Sequence, residues 1–285
     1  MSIISISGKI GTGKDTVAAM IQYLIWKDKV EKGEKFNLHY TFKDFTNSKF
    51  GGNTLSNWEI KKFADKLKDI VCLLIGCTRE QLEDRDFKEK ELGEEWWYWY
   101  MEHPGGYSPT MLDYLNTSKK QLSYYKGLKL IKLTPRLLMQ LLGTDCGRKI
   151  LPPNIWVNSL MAEYKESLPH TKDLFNVPEV EAPDAKETTW IKDQYPNWII
   201  SDTRFPNELK AVKDRNGIVI RITRPDFVEN ALTGEKFPVK VYRQEHESEI
   251  ALDNSEFDYE ILNDGTIADL RDKVEAILKQ EQIIS

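Results

Sequence analysis

The chain opens on Ile3-Ile4-Ser5-Ile6-Ser7, an apolar run of the right length for a buried strand. The loop Gly8 to Thr16 follows, and then Val17, Ala18, Met20, Ile21, Leu24 and Ile25 recur at helical spacing as far as the charged stretch Lys27 to Lys35. Strand, loop and helix form the first predicted unit. Phe36 to Phe45 alternates and predicts a second strand, while Ile60 to Ile75 predicts an amphipathic helix carrying Phe63, Ala64, Leu67, Ile70, Val71 and Leu74 on one side. Glu80 to Glu95 mixes both charges and leads into Trp96-Trp97-Tyr98-Trp99-Tyr100 and the turn His103-Pro104-Gly105-Gly106, which together read as an insertion. Large rings bury wherever they can, which favours packing of these aromatics onto the body; a base-stacking platform is the other use for them.

Regular pattern returns after Gly127. Thr134-Pro135 predicts a helix start, with threonine as N-cap and proline at the first position, where its missing donor costs nothing. Leu137, Leu138, Leu141 and Leu142 then cover one broad face of the predicted helix, and Arg136, Gln140 and Gly143 line up on the opposite, outward side, extended by Thr144, Asp145 and Arg148. That second face suits a cleft: a forked cation for phosphate, an amide for a base edge, and space at the glycine. A solvated helix face with incidental polar residues has the same pattern. A further helix is predicted over Ile155 to Tyr164, and a surface loop over Ser167 to Pro196. Asn197-Trp198-Ile199-Ile200-Ser201-Asp202 is a short buried strand ending in a carboxylate, Gly217 to Ile222 another, and Tyr259 to Leu262 a third. Asn263-Asp264-Gly265 turns the chain into a terminal helix with Ile267, Leu270, Val274, Ile277 and Leu278 facing inward. Strands alternating with helices predict an α/β fold of three layers, a mainly parallel sheet flanked by helices. No repeat or linker divides the chain, so a single domain over 1–285 is expected, with insertions at about 80–132 and 167–196.

The loop after the first strand carries the chemistry. Gly8, Gly11 and Gly13 let the backbone curl until amide N–H groups converge on one anion, the helix behind presents its positive end, and Lys14 adds a full charge. A strict P-loop has serine or threonine directly after the lysine; here Asp15 takes that place and Thr16 follows. Mg²⁺ accepts hydroxyl and carboxylate oxygen alike, so either Asp15 or Thr16 is a candidate ligand, with Thr16 favoured for metal or phosphate. An acid in the first helical turn also simply suits the helix dipole. In a parallel sheet the carboxyl ends of the strands edge the binding crevice, so Asp202 is expected near Lys14, with Arg204 and Glu208 just beyond. Asp202 is a further candidate metal ligand, Arg204 can neutralise a phosphoryl group in transfer, and Arg224 is a second candidate phosphate or base contact.

Composition narrows the classes. A 285-residue chain with 40% hydrophobic residues can bury a sizeable core. A net charge of −5 argues against general binding to nucleic acid or to a membrane surface, which needs massed lysine and arginine. The apolar stretches Val17 to Trp26 and Ile70 to Cys77 are too short to span a bilayer, and a cytoplasmic protein is expected. Cys72, Cys77 and Cys146 and the four scattered histidines lack the spacing of a zinc site.

Several stretches in order along the chain resemble the deoxynucleoside monophosphate kinases of tailed bacteriophages, a branch of the P-loop nucleoside monophosphate kinase fold. They are Gly8 to Thr16, Phe63-Ala64-Asp65-Lys66-Leu67-Lys68, Thr134 to Thr144, Trp156-Val157, Ile200 to Glu208, and His246-Glu247-Ser248-Glu249. The resemblance implies transfer of the γ-phosphoryl group of ATP, with Mg²⁺, to a deoxynucleoside 5′-monophosphate; a homodimer is compatible with it. It implies that Thr12, Lys14, Asp15 and Thr16 serve the ATP phosphates and metal; Gly11, Gly13 and Arg224 join them on the donor side from the reading of the residues alone. Arg136, Gln140, Gly143, Thr144 and Trp156 would line the monophosphate pocket, Trp156 being equally suited to the core. Lys14, Asp202, Arg204 and Glu208 would form the catalytic centre. Another P-loop small-molecule kinase and a non-catalytic nucleotide-binding regulator are the alternatives.

Overall fold

The computed structural model describes residues 2–33, 40–48, 51–101, 128–165, 195–229, 236–239 and 247–285. They fall into two compact units, Met1–Phe63 with Leu160–Ser285, and Ala64–Ser159.

The first unit is built on a five-stranded, wholly parallel sheet. Its strands are β1 (Ile3–Ser7), β2 (Glu59–Lys61), β3 (Trp198–Thr203), β4 (Ile218–Thr223) and β5 (Tyr259–Leu262), in the order β2-β3-β1-β4-β5. Every residue of β1 is buried, which is why the strand reads as an apolar run without alternation: a central parallel strand is covered on both faces. Ile4 pairs in register with Ile199 of β3 and Ile218 of β4. The register with β3 slips between Ser5 and Ser7, where the chain turns into the glycine-rich loop. The helix α1 (Lys14–Glu31) buries Val17, Ala18, Met20, Ile21, Leu24 and Ile25 in one cluster with Ile4, Ile6, Ile220 and Ile222. The terminal helix Ile267–Gln280 adds Leu270, Val274, Ile277 and Leu278 to that cluster. Ile267 was expected to face inward too, but at the first turn of this helix it is exposed. None of the described helices is long and apolar enough to cross a membrane.

The predicted second strand is corrected in part. Residues 34–39 lie outside the described chain, and Phe42–Thr46 is a short helix. Thr41 caps it by accepting the amide of Asp44, whose carboxylate takes the amide of Thr41 in return, and this reciprocal cap overrides the alternation of apolar residues. The strand next to β3 comes instead from Glu59–Lys61, so Ile60, expected on a helix, lies in the sheet, and the helix starts only at Asp65.

The second unit packs the helix Asp65–Ile75 against the helix Pro135–Gln140 around Leu67, Val71, Leu82, Leu133, Leu138 and Trp156. Gly76, left-handed at φ 67°, ends the first of these helices. The charged stretch forms two short helices, Arg79–Glu83 and Arg85–Glu89, capped by Thr78 and Asp84. Tyr98–Met101 pairs antiparallel with Leu128–Ile131; the turn at His103 to Gly106 lies outside the described residues, as does nearly all of the expected surface loop at 167–196. Trp96 and Tyr98 pack against the apolar cluster, and the Lys132 ammonium stands 4.5 Å from the Trp97 ring centre.

Candidate phosphate-binding site

The loop between β1 and α1 has the build that anion binding needs. Gly11 (φ 79°) and Gly13 (φ 99°) sit in the left-handed region, and their turns carry the chain from the sheet edge into the first bond of the helix, Val17 N to Gly13 O at 3.0 Å. Gly8 is glycine for a different reason. A Cβ there would lie 2.5 Å from the carbonyl oxygen of Ile222 and 2.6 Å from Oγ1 of Thr12, so the loop can start only where no side chain intervenes. Thr12 is buried and donates its hydroxyl to Lys9 O at 2.9 Å. Asn263, in the turn after β5, donates Nδ2 to Thr12 O at 2.9 Å and braces the loop from the end of a strand two places away in the sheet.

Lys14 is 9% exposed, and its ammonium donates to the carbonyls of Gly8 and Lys9, both at 2.7 Å. Burial and the nearby Arg204 guanidinium push its pKa down from 10.5 to about 8, although Glu249, Asp15 and Asp202 pull the other way. One further cation and three carboxylates therefore act on the Lys14 ammonium. Asp15 accepts from Lys62 at 2.8 Å and from Ser201 at 3.2 Å. Partial desolvation by its surroundings opposes its ionisation although the side chain is 75% exposed, but the hydrogen bond and charge of Lys62 prevail and hold the carboxyl below its usual range.

Asp202, near the carboxyl end of β3, accepts the amide of Phe63 at 2.8 Å. Beyond it the chain enters the helix Pro206–Lys213. Glu208 in the first turn of that helix is 1% exposed and accepts two amides, of Arg204 at 2.7 Å and of Phe205 at 3.1 Å. Its carboxylate thus fixes the backbone from which Arg204 projects. The Arg204 guanidinium pairs with Glu249 and lies 3.4 Å from the hydroxyl of Ser248. Arg224, expected beside the donor, is exposed just past the end of β4.

Residues expected to bind the acceptor lie on the second unit. Arg136 pairs with Glu89. Gly143 does not look outward as the helical wheel predicts. It is buried, and a Cβ on it would meet Leu67 Cδ2 at 2.7 Å. The cause is a change of helical period: after Gln140 the chain runs as a π-helix over Leu141–Ile150, whose wider turn rotates later residues away from the 3.6-residue register. Thr144 is buried with Gly143, while Gln140 is half-buried. Trp156 is 8% exposed, packed in the cluster, and donates Nε1–H to the carbonyl of Gly143 at 2.8 Å.

No family model matches the chain. It is similar to the deoxynucleoside-5′-monophosphate kinase of Escherichia phage T5, with 22% of residues identical over 279 positions, covering 92% of this chain and 89% of that protein. A parallel sheet flanked by helices, with a glycine-rich loop leaving its central strand, is the α/β fold of P-loop kinases.

Four residues at this loop escape motif reading. Lys62 and Asn263 touch the loop or its first helical turn from remote points of the chain with nothing in their local sequence to signal it, while Ser201 reaches Asp15 from the strand end beside Asp202. Glu249 lies within His246 to Glu249, a stretch the resemblance marked without a role. His246 itself lies outside the described residues.

Proposed function

We propose that this chain is an ATP-dependent kinase of deoxynucleoside 5′-monophosphates. The observation that carries this reading is the cationic cup at the end of β1: a loop shaped by left-handed glycines, the Lys14 ammonium inside it, and the Arg204 guanidinium within electrostatic reach of that ammonium. Mere retention of a nucleotide does not need Arg204, because loop amides and Lys14 already meet the donor phosphates. The full-length likeness to the T5 enzyme supports a nucleotide kinase and suggests the acceptor class.

In the reaction an oxygen of the acceptor phosphate attacks the γ-phosphorus of ATP, the bond from that phosphorus to the β,γ-bridging oxygen breaks, and ADP leaves. Little covalent work falls to the protein; alignment and neutralisation of charge dominate. Gly11, Thr12 and Gly13 shape the amide cradle, Lys14 and Thr16 meet the donor phosphates, and Arg224 flanks them. Arg204 faces the phosphoryl group in transfer, on a backbone that Glu208 holds. Arg136, Gln140 and Thr144 bind the acceptor, with Gly143 and Trp156 supporting their helix.

Asp15, Thr16 and Asp202 fit Mg²⁺ by the chemistry of their oxygens, since this ion takes one or two carboxylates and completes its shell with phosphate oxygens and water. When bound, Mg²⁺ supplies charge neutralisation on the phosphates.

The test is a panel of deoxy and ribo monophosphates beside unrelated alcohols and phosphates, read by ADP release. Release with deoxynucleoside monophosphates is expected. Release only with another acceptor class would move the chain to a different small-molecule kinase, and nucleotide binding with no release would make it a regulator.

A further inference from the structure

Glu249, on the short helix Glu247–Ile250, has a carboxylate divided between two partners. Oε2 accepts the amide of Ile10 at 2.7 Å, and Oε1 pairs with the guanidinium of Arg204. Ile10 stands at the tip of the phosphate loop and is 66% exposed, whereas the Glu249 side chain is 15% exposed. One loop amide, one guanidinium and a nearby ammonium are the contacts a phosphate would make there, and here a carboxylate makes them.

The segment carrying Glu249 is held at the loop by charge. Asp253 accepts from Arg221 at 2.9 Å and stands 3.4 Å from the ammonium of Lys9. Arg221 in turn donates to the Ser7 hydroxyl at 3.0 Å, so Asp253 is tied to the residues on either side of Gly8. Leu252 is 1% exposed and anchors the segment, while Ile250 beside Glu249 remains exposed. Partly exposed ion pairs of this kind exchange partners at modest cost, so an anchored segment can keep its place while its carboxylate yields to a stronger anion.

We propose that Glu249 is a built-in anion that occupies the loop-tip phosphate position and engages Arg204 until a polyphosphate displaces it. It therefore sets the affinity of the loop for its donor. Only the identity of that donor rests on the kinase reading; the displacement concerns any polyphosphate at the loop.

The experiment titrates the full chain with inorganic tripolyphosphate and with ATP by calorimetry, for wild type, Glu249→Gln and Glu249→Asp, with thermal melting as the fold control. Glu249→Gln removes the competing charge and should bind tripolyphosphate about tenfold tighter; Glu249→Asp keeps the charge on a shorter arm and should fall between. Unchanged or weaker binding in a folded variant overturns the proposal. In wild type, tripolyphosphate should shift the Ile10 amide and Arg204 Nε resonances, and resonances that stay put at saturation overturn it even if both variants fail to fold. Tighter tripolyphosphate binding without ADP release in the acceptor panel leaves the placeholder standing and sinks the kinase reading. ADP release with unchanged tripolyphosphate affinity does the reverse.

Discussion

Lys62 and Asp15 are joined by an ion pair of 2.8 Å, and the residue after Lys62 donates its amide to Asp202. Two consecutive residues leaving β2 thus engage both carboxylates that the sequence offers to a metal. Lys62→Met should therefore raise the Asp15 carboxyl pKa, because the hydrogen bond and charge that favour the carboxylate are removed. Side-chain carboxyl titration by carbon NMR checks this. The sign for stability follows: a depressed carboxyl favours the folded state above its unfolded value of 3.8 and loses that contribution as pH falls through the folded value. Wild type should lose more stability than Lys62→Met in that acid range, and an unmoved Asp15 titration would show that Lys62 does not hold it.

Lys14 gives a pH dependence of the opposite region. With its pKa lowered to about 8, the ammonium is full below that value and discharges as pH climbs through it. Donor affinity should be flat below about pH 8 and weaken above it. Because a bound polyanion favours the charged form, binding above pH 8 should take up a proton, seen as a dependence of binding heat on buffer ionisation. An unfolded lysine keeps its proton to about 10.5, so stability should rise between about 8 and 10.5 as the buried site loses its charge. Lys14→Met should abolish both trends and weaken nucleotide binding.

Gly8→Ala tests the shape of the loop rather than its charge. The added Cβ meets a backbone oxygen of β4 at 2.5 Å, which cannot swing aside as a flexible side chain would. A loss of about 1–3 kcal/mol is expected from urea denaturation, in keeping with forced overpacking, together with loss of donor binding. Wild-type affinity in this variant would mean that the loop forms without the close approach of Gly8 to Ile222.

What the sequence disclosed and what it hid divide along contact range. β1, the loop, α1, β3, β4, β5 and the terminal helix were legible because each is fixed by its own periodicity or by a glycine at a turn. The N-cap at Thr134 was legible for the same reason, its hydroxyl accepting the amide of Leu137 at 3.2 Å. The inward turn of Gly143 was not, since a wheel drawn at 3.6 residues cannot anticipate a π-helical stretch. Nor were Lys62, Asn263 and Glu249, whose places at the loop depend on strand order and on chain separations of up to 251 residues. Phe42 to Phe45 misled because an alternating pattern and a capping box competed over few residues, and the cap won.

Glu208 and Arg204 separate positioning from charge stabilisation. Arg204→Ala should lower phosphoryl transfer at least about 100-fold, as loss of a transition-state charge contact does, while leaving the fold intact because its guanidinium lies at a polar edge. Glu208→Gln should act on both properties. Both amides reach one oxygen, Oε2, so a glutamine carbonyl can still accept them, but without the charge that makes each bond worth about 1.5–3 kcal/mol where a neutral one is worth about 0.5–1.5 kcal/mol. Turnover should fall with it, by less than in Arg204→Ala, since the guanidinium remains on a looser backbone. Thermal melting and turnover measured together decide the role: a collapse of turnover at wild-type stability would place the Glu208 carboxylate on the reacting groups, whereas parallel losses, not additive with Arg204→Ala in the double variant, mark it as the residue that aims Arg204.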